Sequence, residues 1–288
     1  MEQTQAYYDF CIPYNADEKI MRATLKELIE LGYKTIAIDQ IFDHSKKEAA
    51  KRGAEMFPDP QSIEHLRKEF DSKLKILQRI TILYVDVNVS HAMSVSMNLR
   101  KFNLIAGQPK TDAALTVSKY AIHQNVINSS VYLQHCCTSF NGDIITFDSL
   151  GGCRLLVNRK AYQIAIRRGI YFELKYSPAI ADSNYRKDMI KVAQNYCTKG
   201  KSRNIIFSSG AANEFQVRSP CDVANLAFIF GLSEDQGKNA INRFGRQLFL
   251  RAESRRLGKT IMFVKGNGPI VFSDSESGEE DNEMDTLG

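Results

Sequence analysis

Seven basic residues between positions 186 and 251 have the types and spacing to grip phosphate. Arg243 and Arg246 lie three apart and Arg251 follows, in a segment whose apolar residues Ile241, Phe244, Leu248 and Ala252 recur at spacings of three, four and four. That periodicity predicts a helix with one buried face, Arg243 and Arg246 turned outward and Arg251 flanking the seam. Arg186, Lys187, Lys201 and Arg203 complete the group, and Arg154, Arg159 and Arg167 offer a second basic surface. Arginine suits phosphate because its planar fork donates two parallel hydrogen bonds. No RNP-type aromatic run, zinc knuckle or G-x-x-G loop accompanies these residues, so they would hold a backbone rather than read bases. A single outward arginine is as readily a solvated side chain; the set gains weight from the charge of the whole chain.

That charge is unevenly placed. The 288 residues carry 38 bases and 33 acids, a net +5. Seven of the acids and none of the bases fall in residues 273–288, so residues 1–272 carry +12. A body that basic favours an anionic partner, with nucleic acid the first candidate. The acidic end is low in apolar residues and should be disordered. Within it Ser273 and Ser277 each precede an acid by three residues (Glu276, Glu280), a context for phosphorylation.

Acid–base and metal chemistry have weaker support. Asp39 and Asp86 follow apolar runs that read as strands, and His91 lies just beyond the second of these. The five histidines, at 44, 65, 91, 123 and 135, form no two- or four-residue spacing with one another, whereas a catalytic metal needs several ligands converging on one point. Asp39 and Asp86 are then better read as helix caps or partners of arginines. Glu173 sits inside a strand and needs a charge partner, with Arg168 and Arg186 the candidates. Ser208-Ser209-Gly210 lacks a G-x-S-x-G context and a neighbouring histidine, which argues against a serine hydrolase. The six cysteines show no C-x-x-C spacing and read as reduced, mostly buried thiols. No apolar run reaches the ~18 residues of a membrane span, and the first residues lack the cationic-then-apolar order of a signal peptide.

The elements that would position these residues alternate along the chain. Strands are expected at 6–12, 35–38, 80–85, 104–106, 144–147, 170–176 and 204–208, with a weak eighth at 261–264. Helices are expected from Asp17 to Leu31, after residue 43, at 91–100, from Thr111 or Asp112 to 123, and at 159–168. Residues 131–137 read as a strand or, better, a short helix feeding the Asn141-Gly142 turn. Ser219-Pro220 starts a helix running to Gly231, and Ser233-Glu234-Asp235-Gln236 forms a capping box for the next. Such alternation fits parallel strands joined by helical crossovers. By itself it leaves a doubly wound sheet and a (β/α) barrel both open.

The wording of several segments settles on one family. Arg168-Gly169, Phe172-Glu173-Leu174, Tyr176-Ser177-Pro178-Ala179-Ile180, Asp182-Ser183 and Arg186 form one ordered block. Ser208-Ser209, Asp222-Val223-Ala224-Asn225-Leu226 and Phe230-Gly231-Leu232-Ser233-Glu234 form another, with Leu31-Gly32-Tyr33 leading into Ile36-Ala37-Ile38 as a weaker echo. Together these resemble the thirty-kilodalton protein subunit of nuclear and archaeal ribonuclease P, shared in eukaryotes with RNase MRP, over most of residues 6–256.

The resemblance implies a TIM-like, irregular (β/α) barrel of seven to eight strands over residues 1–265, with residues 266–288 as the acidic tail. It also implies a non-catalytic role in removing the 5′ leader of precursor tRNA, with chemistry and magnesium belonging to the RNA subunit. The implied partners are the RNase P and MRP RNAs, a small α/β protein subunit and other proteins of the complex, in the nucleus and nucleolus. Related phosphoesterases bind metal through a His-x-His pair at the end of strand one. Here that segment is Tyr8-Asp9-Phe10-Cys11-Ile12, so the metal site is expected to be lost and no cofactor is expected on the chain itself. Two rival classes remain: a free-standing metal-dependent phosphoesterase, and a DNA-binding protein using the last helices as a helix-turn-helix.

Overall fold

Asp17 shows how local chemistry sets the first unit. Its carboxylate accepts from the Lys19 N–H at 2.9 Å and caps helix α1 (Glu18–Glu30), a contact worth about 1 kcal/mol. Met21, Leu25 and Leu28 bury one face, and Gly32 at φ +92° turns the chain into a strand. The computed structural model describes residues 6–43, 55–84, 89–109, 133–147 and 157–258. Arg154, Asp86, the helix expected from residue 111, the strand expected at 261–264, Ser273, Ser277 and the acidic tail lie outside the described residues.

Seven strands form one sheet in sequence order: β1 (Tyr7–Pro13), β2 (Tyr33–Asp43), β3 (Lys75–Tyr84), β4 (Leu104–Pro109), β5 (Ile144–Ile145), β6 (Tyr171–Lys175) and β7 (Ile205–Ser208). Every neighbouring pair is parallel. Helical crossovers follow the strands in turn: α1, α2 (Glu64–Phe70), α3 (Val89–Val95), α4 (residues 133–139), α5 (Arg159–Arg167), then α6 (Tyr176–Ala181) with α7 (Ser183–Gly200). The ambiguous segment near 131–137 is thus helical where described. Three shorter-range differences follow local geometry. The chain passes from β6 straight into α6 without a loop. The helix expected to run to Gly231 is α8 (Pro220–Leu226), followed by tight turns. The single helix expected after Ser233 breaks at Asn242 into α9 (Glu234–Ile241) and α10 (Arg243–Leu257).

The sheet curls into a barrel. No ladder joins β7 to β1; the seam is closed by Gly210 N–H donating to the Cys11 carbonyl at 2.9 Å and Ser209 N–H to Asp9 Oδ1 at 3.0 Å. The lower lumen is apolar, with Tyr8, Ala37, Leu77, Ala106, Ile144 and Ile206 meeting Leu248 and Ala252 of α10. That helix therefore floors the mouth where the strands begin.

Two fittings hold it there. Arg251 and Arg255 both clamp the buried Asp143 carboxylate, each at 2.9 Å. Gly245 rests on the Tyr8 ring so closely that a Cβ would stand 2.6 Å from it. Gly245→Ala should therefore lower stability by about 1–3 kcal/mol through overpacking, read as a lower urea midpoint. An unchanged midpoint would mean that α10 does not press on the barrel.

Candidate functional site

Barrels of this kind keep their chemistry where the strands end, and in this chain that end of the lumen is filled by a salt-bridged network. Arg79 projects from the middle of β3 and is fully buried. Its Nη2 donates to Glu173 Oε2 on β6 at 2.8 Å, and its Nη1 to the second Glu173 oxygen and, at 2.7 Å, to the Phe10 carbonyl on β1. Its Nε lies 3.2 Å from Thr81 Oγ1 and 3.3 Å from Asp39 Oδ1 on β2. Thr81 in turn donates to Asp39 at 2.7 Å, and Ser208 on β7 to Glu173 at 2.7 Å. One guanidinium thus ties four strands across the lumen. Burial alone would raise the Glu173 carboxyl, but the Arg79 charge and its hydrogen bonds hold it down at about 2.

Glu173 therefore pairs with Arg79, not with Arg168 or Arg186 as the sequence suggested. Arg168 donates instead to the Cys137 and Phe140 carbonyls, and Arg186 to the Ala179 and Ile180 carbonyls. The signal for Arg79 is a lone charge inside the run Ile76–Tyr84, a position that only a partner inside the fold can satisfy. Asp39 is indeed an arginine partner. Among the described residues no three His, Cys, Asp or Glu side chains are grouped to hold a metal ion, and His91 is exposed on α3.

At the seam, Asp9 is buried with Oδ1 accepting from the Cys11 and Ser209 N–H groups, while Oδ2 has no partner. Burial pushes its carboxyl up to about 6, against the pull of those two donors. Cys11 lies 3.6 Å from Asp39 Oδ2, and burial pushes its thiol well up, so it stays protonated and unreactive. The described cysteines are all free.

The basic residues separate by location. In a parallel barrel the strand starts and the C-terminal ends of the crossover helices share one mouth. Lys201 and Arg203 lie there, between α7 and β7, and Arg243 and Arg246 lie on α10 beneath it. All four are exposed, and none of their side chains makes a hydrogen bond or ion pair among the described residues. Arg186 and Lys187 sit in the first two turns of α7, at the opposite mouth. Arg251 is half-buried, with its donors used on Asp143 and the Arg168 carbonyl; it fastens α10 rather than facing outward. Arg159 and Arg167 mark the two ends of α5 and so do not form one surface.

Residues 6–129 and 119–257 match the model of a family described as RNase P subunit p30. This chain belongs to the RNase P subunit p30 family. It is 30% identical over 256 residues to the Mus musculus ribonuclease P protein subunit p30, with 87% of each chain covered. To the ribonuclease P/MRP protein subunit RPP1 of Saccharomyces cerevisiae it is 24% identical over 253 residues, 85% of this chain and 76% of that one. Among solved structures, a chain in the cryo-EM structure of archaeal ribonuclease P with mature tRNA aligns with a TM-score of 0.60. The alignment covers 91% of this chain and all of that one at 13% identity, a likeness of fold.

Both rival readings lose ground on the geometry of this p30-family chain. Asp39 and Glu173 are already engaged by Arg79, and among the described residues no three such side chains are grouped for a phosphoesterase metal. The helix-turn-helix reading would need an outward, basic second helix, but α9 opens with Glu234 and Asp235 and packs flush on α8. A Cβ on Gly237 would lie 2.8 Å from the Ala224 carbonyl.

Removing the guanidinium should strand two buried carboxylates. Arg79→Met is expected to cost about 3–5 kcal/mol, and adding Asp39→Asn and Glu173→Gln should recover much of it. Urea denaturation measures both; a single variant as stable as wild type would show that the network needs no cation.

Asp9 has the opposite sign. Its folded carboxyl titrates above the usual value of ~3.9, so the folded state holds a proton that the unfolded chain has released. Stability is then full below that value and declines as pH rises through about 6. Asp9→Asn keeps the Oδ1 acceptor and should gain about 1–3 kcal/mol near pH 7.5 and nothing near pH 4. Thermal melts across that range decide it, parallel curves for the two proteins being the contrary result.

Proposed function

We propose that this chain works as a protein subunit of ribonuclease P, and of RNase MRP, holding the RNA component in its working fold. The observation that carries the reading is the family match along almost all of the described barrel. It is supported by a body of net +12 over residues 1–272 with exposed, unpaired arginines on α10. On this reading 5′-leader removal from precursor tRNA is the chemistry of the RNA and its magnesium. The protein replaces diffuse counterions with fixed cations and so relieves phosphate repulsion where RNA segments approach. A small α/β protein subunit is the proposed direct protein partner, and the nucleus and nucleolus the proposed location. Ser273 and Ser277 are proposed phosphorylation sites, where each phosphate would add about −1.5 to −2 charge and oppose RNA contact.

Phosphate contacts without base reading have a clear signature. Affinity should fall steeply with salt and vary little with sequence. Arg243→Ala with Arg246→Ala should weaken RNA binding and shallow the log–log salt slope by about 1.4–1.8, at ~0.7–0.9 per contact. The melting temperature should hold. Wild-type affinity for the double variant across a salt series would assign the arginine face to solvent alone.

A further inference from the structure

We infer that RNA lies across the mouth where the strands begin, on a single phosphate-binding surface made by α10, the α7–β7 loop and the start of β3. This rests on the reading of the chain as an RNase P subunit and adds which end of the barrel meets RNA. It is the end opposite to where barrel enzymes bind their ligands.

The first support is how α10 is used. Its Arg251 and Arg255 point inward and bind Asp143, and Arg256 pairs with Glu253 at 2.8 Å. Its Arg243 and Arg246 point outward and bind nothing among the described residues. The inward arginines fix the helix as a rigid floor, so the outward pair is held in place before any ligand arrives. Lys75, exposed at the start of β3, lies 4.2 Å over the Phe249 ring of the same helix, which extends the basic surface across the mouth.

The second support is the α7–β7 loop. Lys201, Ser202 and Asn204 all hold left-handed backbone, at φ 54°, 56° and 54°, which is costly for residues with a side chain. Tertiary contacts enforce that shape. Gly200 is pressed against the Tyr162 ring, where a Cβ would meet it at 2.1 Å. The Tyr162 hydroxyl donates to the Arg203 carbonyl at 2.8 Å, and Asn204 Nδ2 to the Ile170 carbonyl at 3.0 Å. A strained, pinned loop leaves the Lys201 and Arg203 side chains in solvent with their backbone already ordered. That lowers the entropy cost of gripping a phosphate.

Among the described residues the other mouth is mixed, with Arg159 and Lys187 exposed beside apolar side chains. It exposes Tyr14, Ile41 and Phe215, and Arg186 uses its guanidinium on two carbonyls of α6. Those exposed apolar side chains suit a protein partner better than a polyanion.

Two variants that each remove two positive charges make the test. Lys201→Gln with Arg203→Gln alters the proposed surface; Arg186→Gln with Lys187→Gln alters the opposite mouth. The probe is a fluorescein-labelled RNA hairpin titrated with the full-length chain at several salt concentrations, with melting temperature as the folding control. The first variant should bind about tenfold more weakly with a shallower salt slope, and the second within about twofold of wild type. If the loop variant melts early, Lys75→Gln with Arg243→Gln replaces it on the same surface. Equal losses from both ends, or a larger loss from the Arg186 and Lys187 pair, would overturn the placement. So would unchanged RNA affinity with poorer recovery of the loop variant in a reconstituted complex, which would assign this mouth to a protein. A wild-type chain that binds no RNA would instead defeat the reading of the chain as an RNA-contacting subunit.

Discussion

Arg79 sits where a (β/α) barrel is hardest to build. The lumen near the strand ends must be filled, and the side chains that point into it from β2 and β6 are carboxylates. Two buried negative charges facing each other would repel and force one to stay protonated. A single guanidinium resolves this because its planar fork reaches Asp39, Glu173 and the Phe10 carbonyl at once, from a strand on the far side. Its contribution is less a gain in stability than a condition on geometry. β1, β2, β3 and β6 must take the curvature that brings their groups to one point. The same contacts engage both oxygens of Asp39 and of Glu173, so a guanidinium occupies the lumen where barrel enzymes keep their chemistry.

Closing the ring and sealing its floor are solved separately. The seam between β7 and β1 has no ladder, so it depends on individual contacts, and Asp9 supplies one with a carboxylate that is only half satisfied. Burial of an imperfectly paired acid is a standing cost, tolerated because Oδ1 fixes two N–H groups that would otherwise lack partners. The floor depends on α10, whose apolar residues complete the lumen and whose inward arginines converge on Asp143. Sheet closure, lumen packing and helix docking are thus coupled through charged residues as well as apolar ones.

Much of this is legible in the amino-acid sequence alone. Local grammar located strands whose apolar runs lie between clear stops, and Asp17, Ser219 and Ser233 marked helix starts by the same capping chemistry the structure shows. What stayed hidden depends on contacts distant in sequence. Glu173 advertised the need for a partner, yet nothing near it in sequence points to Arg79, which is 94 residues away. The Asn242 break was hidden because an unbroken apolar period runs from Ile241 to Ala252 across it. The barrel rather than the open sheet came only from resemblance, since both have the same string of elements.

The most instructive division lies within α10 itself. Helical spacing treats Arg243, Arg246 and Arg251 as one basic set, and on an isolated helix they would be. Docking on a barrel separates them, because Arg251 meets a carboxylate that arrives from the β5 end of the fold while the other two overhang open solvent. An arginine is available to phosphate only if no buried acid has claimed it. Asp143 stands immediately before β5, held there by an Asp143 N–H bond to the Ile105 carbonyl at 2.8 Å. The register of a two-residue strand therefore decides which charges on a helix more than a hundred residues later are structural and which are left in solvent.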